Sequence, residues 1–368
     1  MFFKKNQLLL VSVLLACSML CGVSSAQALD LDSPKDSDSQ YLEIEPVYDF
    51  GAGQSTYTGD ELYQKTAEFW TPDKIEQAES EPLNVVPGWM VDGANLAEEL
   101  QYYQQLLSAF MAPIIVSKPV SSSISVRGTA EKLASYNISA ANGKIYFQNS
   151  KTGRFSECSG AAVNSESKTI VITAAHCVHE GKNGGSHKNW IFIPDFNPSV
   201  VVNDPSTMPY GFFLATGSFI LNDWANADDG AARWSRDVAF VTTHNNRAGQ
   251  KLVEAVGGYG LGIGGKYQFQ SVAIGYPSNF DNGKKLTACK GSTFKLDADT
   301  SHPLHAMSCP FGAGASGGPW VFNHDDSTGS GLVRSVTSAA TYPPKHIVGP
   351  FFDAEVYSLF QLAENKNK

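Results

Sequence analysis

Short apolar runs separated by turn-rich polar stretches dominate the second two-thirds of the chain. Gly160–Val163 and Thr169–Thr173 flank Asn164-Ser165-Glu166-Ser167, and that pattern predicts a β-hairpin. Asp237–Thr243 and Leu332–Thr337 are further runs of strand length, and the glycine-rich stretch Gly257–Gly265 reads as turns. The rhythm changes at Asp353–Leu362, where Val356, Leu359, Phe360 and Leu362 predict a closing helix with one packing face. Nearer the N-terminus, Leu96, Leu100, Tyr103, Leu107 and Phe110 recur at helical spacing behind Asn95. Glu98 stands where a capping-box acid would, so a packed helix is expected there.

One longer hydrophobic run stands apart. Leu8 to Leu20 follows Lys4 and Lys5 and precedes Ala26-Gln27-Ala28, the three-part pattern of a secretory leader cleaved after residue 28. Its apolar core is short for a span of about 20 residues, so stable membrane insertion after leader removal is not expected. The chain of 368 residues is long enough for about two folding units. Its 33 glycines and 18 prolines suit many short strands joined by turns. A net charge of −9 argues against a general electrostatic grip on nucleic acid.

Charge divides the exported chain. Residues 29–125 carry 17 acidic and 4 basic side chains, net −13, whereas residues 126–368 carry 19 acidic and 21 basic, net +2. Between them, Ala112 to Ala130 contains Pro113, Pro119, three serines from Ser121 and Gly128, and reads as an exposed linker. The expected organisation is a leader (1–28), an acidic, partly helical N-terminal extension acting as a propeptide (29–125), and an all-β domain (126–368). Once Cys17 and Cys21 leave with the leader, Cys158, Cys177, Cys289 and Cys309 remain. An even set in an oxidising compartment implies two disulfides. Three pairings are possible; the near-neighbour one, Cys158–Cys177 with Cys289–Cys309, closes loops of similar size, and the first pair lies just outside the two arms of the hairpin. No C-x₂-C pair exists to favour a metal site.

Three segments carry the chemistry. Thr173-Ala174-Ala175-His176-Cys177 ends a strand, Arg236-Asp237-Val238-Ala239-Phe240-Val241 puts an acid at the head of an apolar strand, and Gly312-Ala313-Gly314-Ala315-Ser316-Gly317-Gly318-Pro319 sets a serine in a glycine-rich turn. Asp228 and Asp229 compete with Asp237, but only Asp237 opens a strand. His179 and His187 lie in a glycine-rich connection and read as residues of a solvated loop. Gly314-x-Ser316-x-Gly318 also matches a nucleophile elbow, which demands a helix after the serine. Gly317-Gly318-Pro319-Trp320-Val321-Phe322 reads instead as a turn into a strand.

Together, in this order, the three segments resemble those of the trypsin-like (chymotrypsin-fold) serine endopeptidases. Gly275-Tyr276-Pro277 and Cys309-Pro310-Phe311 are similar to the bacterial secreted branch that includes the V8-like glutamyl endopeptidases. The resemblance runs from about Ser125 to the C-terminus. It implies a chymotrypsin-like double β-barrel with a C-terminal helix and a site in the cleft between barrels. In it His176 acts as general base toward Ser316, Asp237 orients the imidazole, and the N–H groups of Gly314 and Ser316 form the oxyanion hole. The implied function is an exported serine endopeptidase, secreted or periplasmic, acting on protein or peptide substrates without a cofactor. A catalytically inactive protease-fold binding module or adhesin is the alternative, and an esterase on the same residues a third reading. Ala315 replaces the Asp that animal trypsins carry before the serine, so activation through that ion pair is not expected. Pro310 stands where trypsins carry their specificity Asp, and Val333–Thr341 lacks the His of glutamyl endopeptidases. The resemblance therefore implies neither a basic nor a strict Glu preference, and leaves a small or apolar one.

Overall fold

The computed structural model describes residues 40–51, 57, 59–80, 82–86, 112–121, 138–196, 208–228, 230–296, 302–341 and 345–366. The leader, the helix expected after Asn95 and residues 122–130 of the expected linker lie outside these residues.

The N-terminal extension contributes β1 (Tyr41–Ile44), α1 (Gly59–Phe69), α2 (Pro72–Glu76), β2 (Glu79–Ser80), β3 (Asn84–Val86) and β4 (Ile114–Ser117). Thr71 starts α2, its hydroxyl accepting from Lys74 N, with Pro72 at the first position where no donor is needed. The extension is woven into the β-sheets of the remaining chain. β4 lies inside the stretch expected to be an exposed linker; its Ile-Ile-Val run pairs antiparallel with a later strand instead.

The next elements are β5 (Asn142–Gln148), β6 (Phe155–Val163), β7 (Ile170–Thr173), β8 (Lys188–Pro194), β9 (Phe213–Leu221), α3 (Asn222–Asn226), α4 (Ala231–Trp234) and β10 (Ala239–Thr243). Six of these strands close a barrel in the order β9-β10-β7-β6-β5-β8, with β8 returning to β9. The expected hairpin is β6–β7, in register Ala161↔Ile172 to Val163↔Ile170. β1 extends the barrel wall along β9, and β2 lies on β6. Alternate residues point inward, and Trp70 of the extension joins this core beside Tyr146, its indole donating to Asn189 O at 2.8 Å.

After α5 (Leu252–Val256) come β11 (Gly260–Ile263), β12 (Gln270–Gly275), β13 (Thr287–Leu296), β14 (Leu304–Ser308), β15 (Pro319–Phe322), β16 (Leu332–Val336), β17 (Ala339–Thr341), β18 (His346–Pro350) and α6 (Ala354–Lys366). With β3 and β4 they form a ten-stranded sheet, β3-β17-β18-β14-β13-β12-β15-β16-β11-β4. The sheet curls so that β16 meets β18: Ser335 Oγ donates to Pro350 O at 2.8 Å. β11 occupies the stretch read as turns. Its glycines permit close strand approach, since a Cβ on Gly260 would stand 2.4 Å from Ser117 O. The closing helix is α6, whose Phe360 packs edge-on against Phe240 of the barrel.

The two sheets, the closed barrel and the C-terminal helix are the chymotrypsin-like arrangement. Both disulfides adopt the near-neighbour pairing, with Cα separations of 6.2 Å for Cys158–Cys177 and 6.0 Å for Cys289–Cys309. Among the described residues no helix is long and apolar enough to cross a membrane.

Candidate active site

His176 sits in a single 3₁₀ turn, Ala175–Cys177, immediately after β7. The Cys158–Cys177 bond ties this turn back to β6. Asp237 lies just before β10, fully buried, and both its oxygens face the histidine. Oδ1 accepts from His176 N at 2.9 Å, and Oδ2 stands 2.7 Å from His176 Nδ1. A carboxylate only accepts, so Nδ1 carries the proton and Nε2 is left as the basic nitrogen.

Neighbouring groups hold this pair in place. Ser338 Oγ donates to Asp237 Oδ2 at 2.6 Å. Arg236, the preceding residue, is 1% exposed and pairs with Asp353 at 2.7 Å. Asp353 in turn accepts from Glu355 N and Val356 N at the start of α6. The closing helix thus anchors the backbone beside Asp237. The competing Asp228 is exposed and paired with Lys182.

His187 is buried, not solvated as its glycine-rich surroundings implied. It stacks on Phe147 at 4.4 Å, accepts from Ser150 N at Nδ1, and lies 3.0 Å from His176 O through Nε2. Burial pushes its pKa down to about 3, so the ring is neutral and Nε2–H donates to the backbone of the catalytic-candidate turn.

Ser316 lies in the turn Gly312–Gly318, ahead of β15. Gly314 (φ +82) and Gly317 (φ +76) take left-handed conformations that side chains resist. Ser159 of β6 clamps the turn. Its N–H donates to Ser316 O at 2.8 Å, its hydroxyl donates to Gly314 O at 2.7 Å, and that hydroxyl accepts from Tyr276 N at 2.9 Å. Thr173 Oγ1 bonds Ser159 O at 2.9 Å. A Cβ on Gly317 would fall 2.7 Å from Ala174 N, so the serine turn packs directly on the strand end that leads into His176. Gly317 N also donates to Thr337 O at 2.8 Å, next to Ser338. Short contacts therefore link the three segments, which lie 61 and 79 positions apart along the chain. The sequence singles out neither Ser159, in β6, nor Ser338, in the link between β16 and β17; an isolated serine carries no pattern that marks it.

The Ser316 side chain is itself fully buried, and among the described residues its Oγ has no hydrogen-bond partner. An apolar cluster of Cys309, Phe311, Ala315, Trp320 and Ala340 adjoins the turn. An open cavity of about 620 Å³ is lined by His176, Trp224, Glu180 and Arg233 on the barrel side.

No family model and no curated protein matches this chain in sequence. Solved structures do. The protease Anisep from Arthrobacter nicotinovorans is 27% identical over 63% of this chain and 98% of its own, with a TM-score of 0.53. A thermostable serine protease, AL20, from an extremophilic microorganism is 24% identical over 62% of this chain and 99% of its own, with a TM-score of 0.54. The fold is that of the chymotrypsin-like serine proteases, and the chain resembles them.

Proposed function

We propose that the protein is an exported serine endopeptidase. Ser316 Oγ attacks the scissile carbonyl carbon while His176 Nε2 takes its proton. The new C–O bond places negative charge on the carbonyl oxygen, which the N–H groups of Gly314 and Ser316 receive. The imidazolium then returns the proton to the leaving amine as the C–N bond breaks, and water releases the acyl group from Ser316 by the same route. Asp237 holds the tautomer and stabilises the transient imidazolium.

The observation that carries this reading is the buried Asp237 carboxylate gripping both the backbone N–H and Nδ1 of His176, with Ser316 in a glycine turn packed on the same strand end. Two disulfides and the leader pattern support export. Residues 29–125 act as a propeptide that is removed or displaced. Labelling by a fluorophosphonate probe, lost in Ser316→Ala, together with cleavage of an unfolded protein substrate, tests the activity. Ester turnover without protein cleavage would instead indicate an esterase, and absence of any adduct in processed protein would indicate a binding module. N-terminal sequencing of the secreted form tests propeptide removal, and a mature chain starting at Leu29 would overturn it.

A further inference from the structure

Near Ser316, the start of β6 runs past its partner β7, and β17 stands at the margin of the curled sheet; the extension pairs with both. β2 pairs parallel with β6, Glu79↔Ser156 and Ser80↔Glu157. β3 pairs parallel with β17, Asn84↔Ala339 to Val86↔Thr341. Between these strands, Pro82 borders the cavity lined by His176, and Leu83, 9% exposed, enters the apolar cluster of Phe311, Ala315, Trp320 and Ala340. Ser80 is also close to the proposed oxyanion donor: a Cβ on Gly314 would stand 2.9 Å from Ser80 Oγ, and that hydroxyl donates to Glu157 Oε1 at 2.7 Å. Ser80 and Leu83 therefore flank the turn of Ser316, a serine with no solvent exposure.

The direction of this pairing matters. His176 belongs to the barrel, so the leaving amine and the residues after the scissile bond must lie on the barrel side, along β6. The acyl half must then lie along β17. A cleavable peptide runs from the second sheet to the barrel, antiparallel to both edges. β2 and β3 run the opposite way. In a reversed chain, a carbonyl offered to Gly314 and Ser316 has its nitrogen directed toward the second sheet, away from the imidazolium that must protonate it. An adduct formed there would return its electron pair to the Ser316 oxygen and release the peptide intact.

We infer that Glu79–Val86 is a built-in inhibitor, laid through the substrate cleft in reverse and anchored by Leu83, that blocks the site without being cut by it. The inference rests on the proposed peptidase reading. It goes further by naming the inhibitory segment, its polarity and its anchor.

The test compares fluorophosphonate labelling of Ser316 in the full chain and in Leu83→Asp, with Ser316→Ala as blank. The variant is expected to label at least ten-fold faster. Leu83→Ala, which adds no charge, should move the rate in the same direction by less, and thermal melts verify that both variants are folded. A synthetic peptide of residues 79–86 added to Leu83→Asp should slow labelling again and remain intact by mass spectrometry, whereas the peptide of inverse sequence order should not restore inhibition. Equal labelling of the unaltered chain and the folded Leu83 variants overturns the inhibitor while leaving the peptidase reading standing. Cleavage of the 79–86 peptide overturns the reversed polarity. No labelling of any form, including protein freed of its extension by the producing cell, overturns both.

Discussion

Ser338 Oγ, on the curled sheet, donates a 2.6 Å hydrogen bond to Asp237 Oδ2, on the closed barrel, across 101 positions of sequence. The bond joins the two sheets at the carboxylate that faces His176. Asp237 is fully buried, and Oδ2 serves both Ser338 and Nδ1 of the imidazole.

Hydrogen bonds to charged groups contribute about 1.5–3 kcal/mol, so removing the Ser338 hydroxyl should cost roughly ten- to a hundred-fold in kcat. Ser338→Ala should therefore lower kcat with KM little changed, and steady-state kinetics on a peptide substrate will show the split. Asp237→Asn should fall much further, by about 10⁴, because an amide no longer enforces the Nδ1–H tautomer. Equal activity of Ser338→Ala and the unaltered protein would remove the positioning role.

Gly317→Ala should damage both stability and turnover. The added methyl would meet Thr173 Oγ1 at 2.0 Å, Ser159 O at 2.5 Å and Ala174 N at 2.7 Å, at a φ of +76. Left-handed strain alone costs about 1–3 kcal/mol. Displacing the serine turn by about 1 Å costs about 10² in rate. A lowered melting temperature with kcat/KM reduced about a hundred-fold is the expected result.

A buried ion pair sits under the cleft. Lys144 and Glu157 side chains are 2% and 6% exposed, with Nζ 2.6 Å from Oε2, and Nζ also donates to Gly283 O at 2.7 Å. Burial lowers the Lys144 pKa, and the Glu157 charge acts against that shift. Lys144→Met strands the carboxylate and should destabilise the protein by about 3–5 kcal/mol. Adding Glu157→Gln removes the stranded charge and should recover part of the loss, measured by denaturant unfolding.

Acid should destabilise the fold through two buried histidines. Burial lowers His187 and His305 to about 3, against about 6.5 in an unfolded chain. Between those values the unfolded chain binds the additional protons. Their contribution is therefore intact above about pH 6.5 and is lost as pH falls toward 3, by about 1.4 kcal/mol per pH unit for each ring. His305 lies among Phe269, Tyr267 and Phe351, so an aromatic replacement keeps the packing. His305→Phe should flatten the slope of unfolding free energy between pH 6.5 and 4.5 by about 1.4 kcal/mol per unit. An unchanged slope would show that His305 does not carry that part of the acid response.

Much of the local structure was legible from neighbouring residues. The β6–β7 hairpin, β10, β16 and α6 each announce themselves through short-range alternation, helical spacing or turn residues. Gly257–Gly265 misled, because glycines that resemble turn formers serve in β11 to let β4 and β16 approach closely. His187 misled for a related reason: its sequence neighbours are polar, but its spatial neighbours are Phe147 and the backbone of His176. The charge contrast between residues 29–125 and the remainder concealed the extension's integration, since backbone pairing of β1 to β4 does not depend on side-chain charge.

The sequence by itself determined which residue types stand at the candidate site, their order, the cysteine set and the all-β character. Those are set by chemistry and spacing along the chain. Tertiary structure alone decided that Ser159 and Ser338 support the candidate site, that Ser316 is buried, and that β2 and β3 pair parallel with β6 and β17. Each depends on which sheet edges meet and in which direction, a choice made by distant backbone groups satisfying one another and leaving no trace in local periodicity.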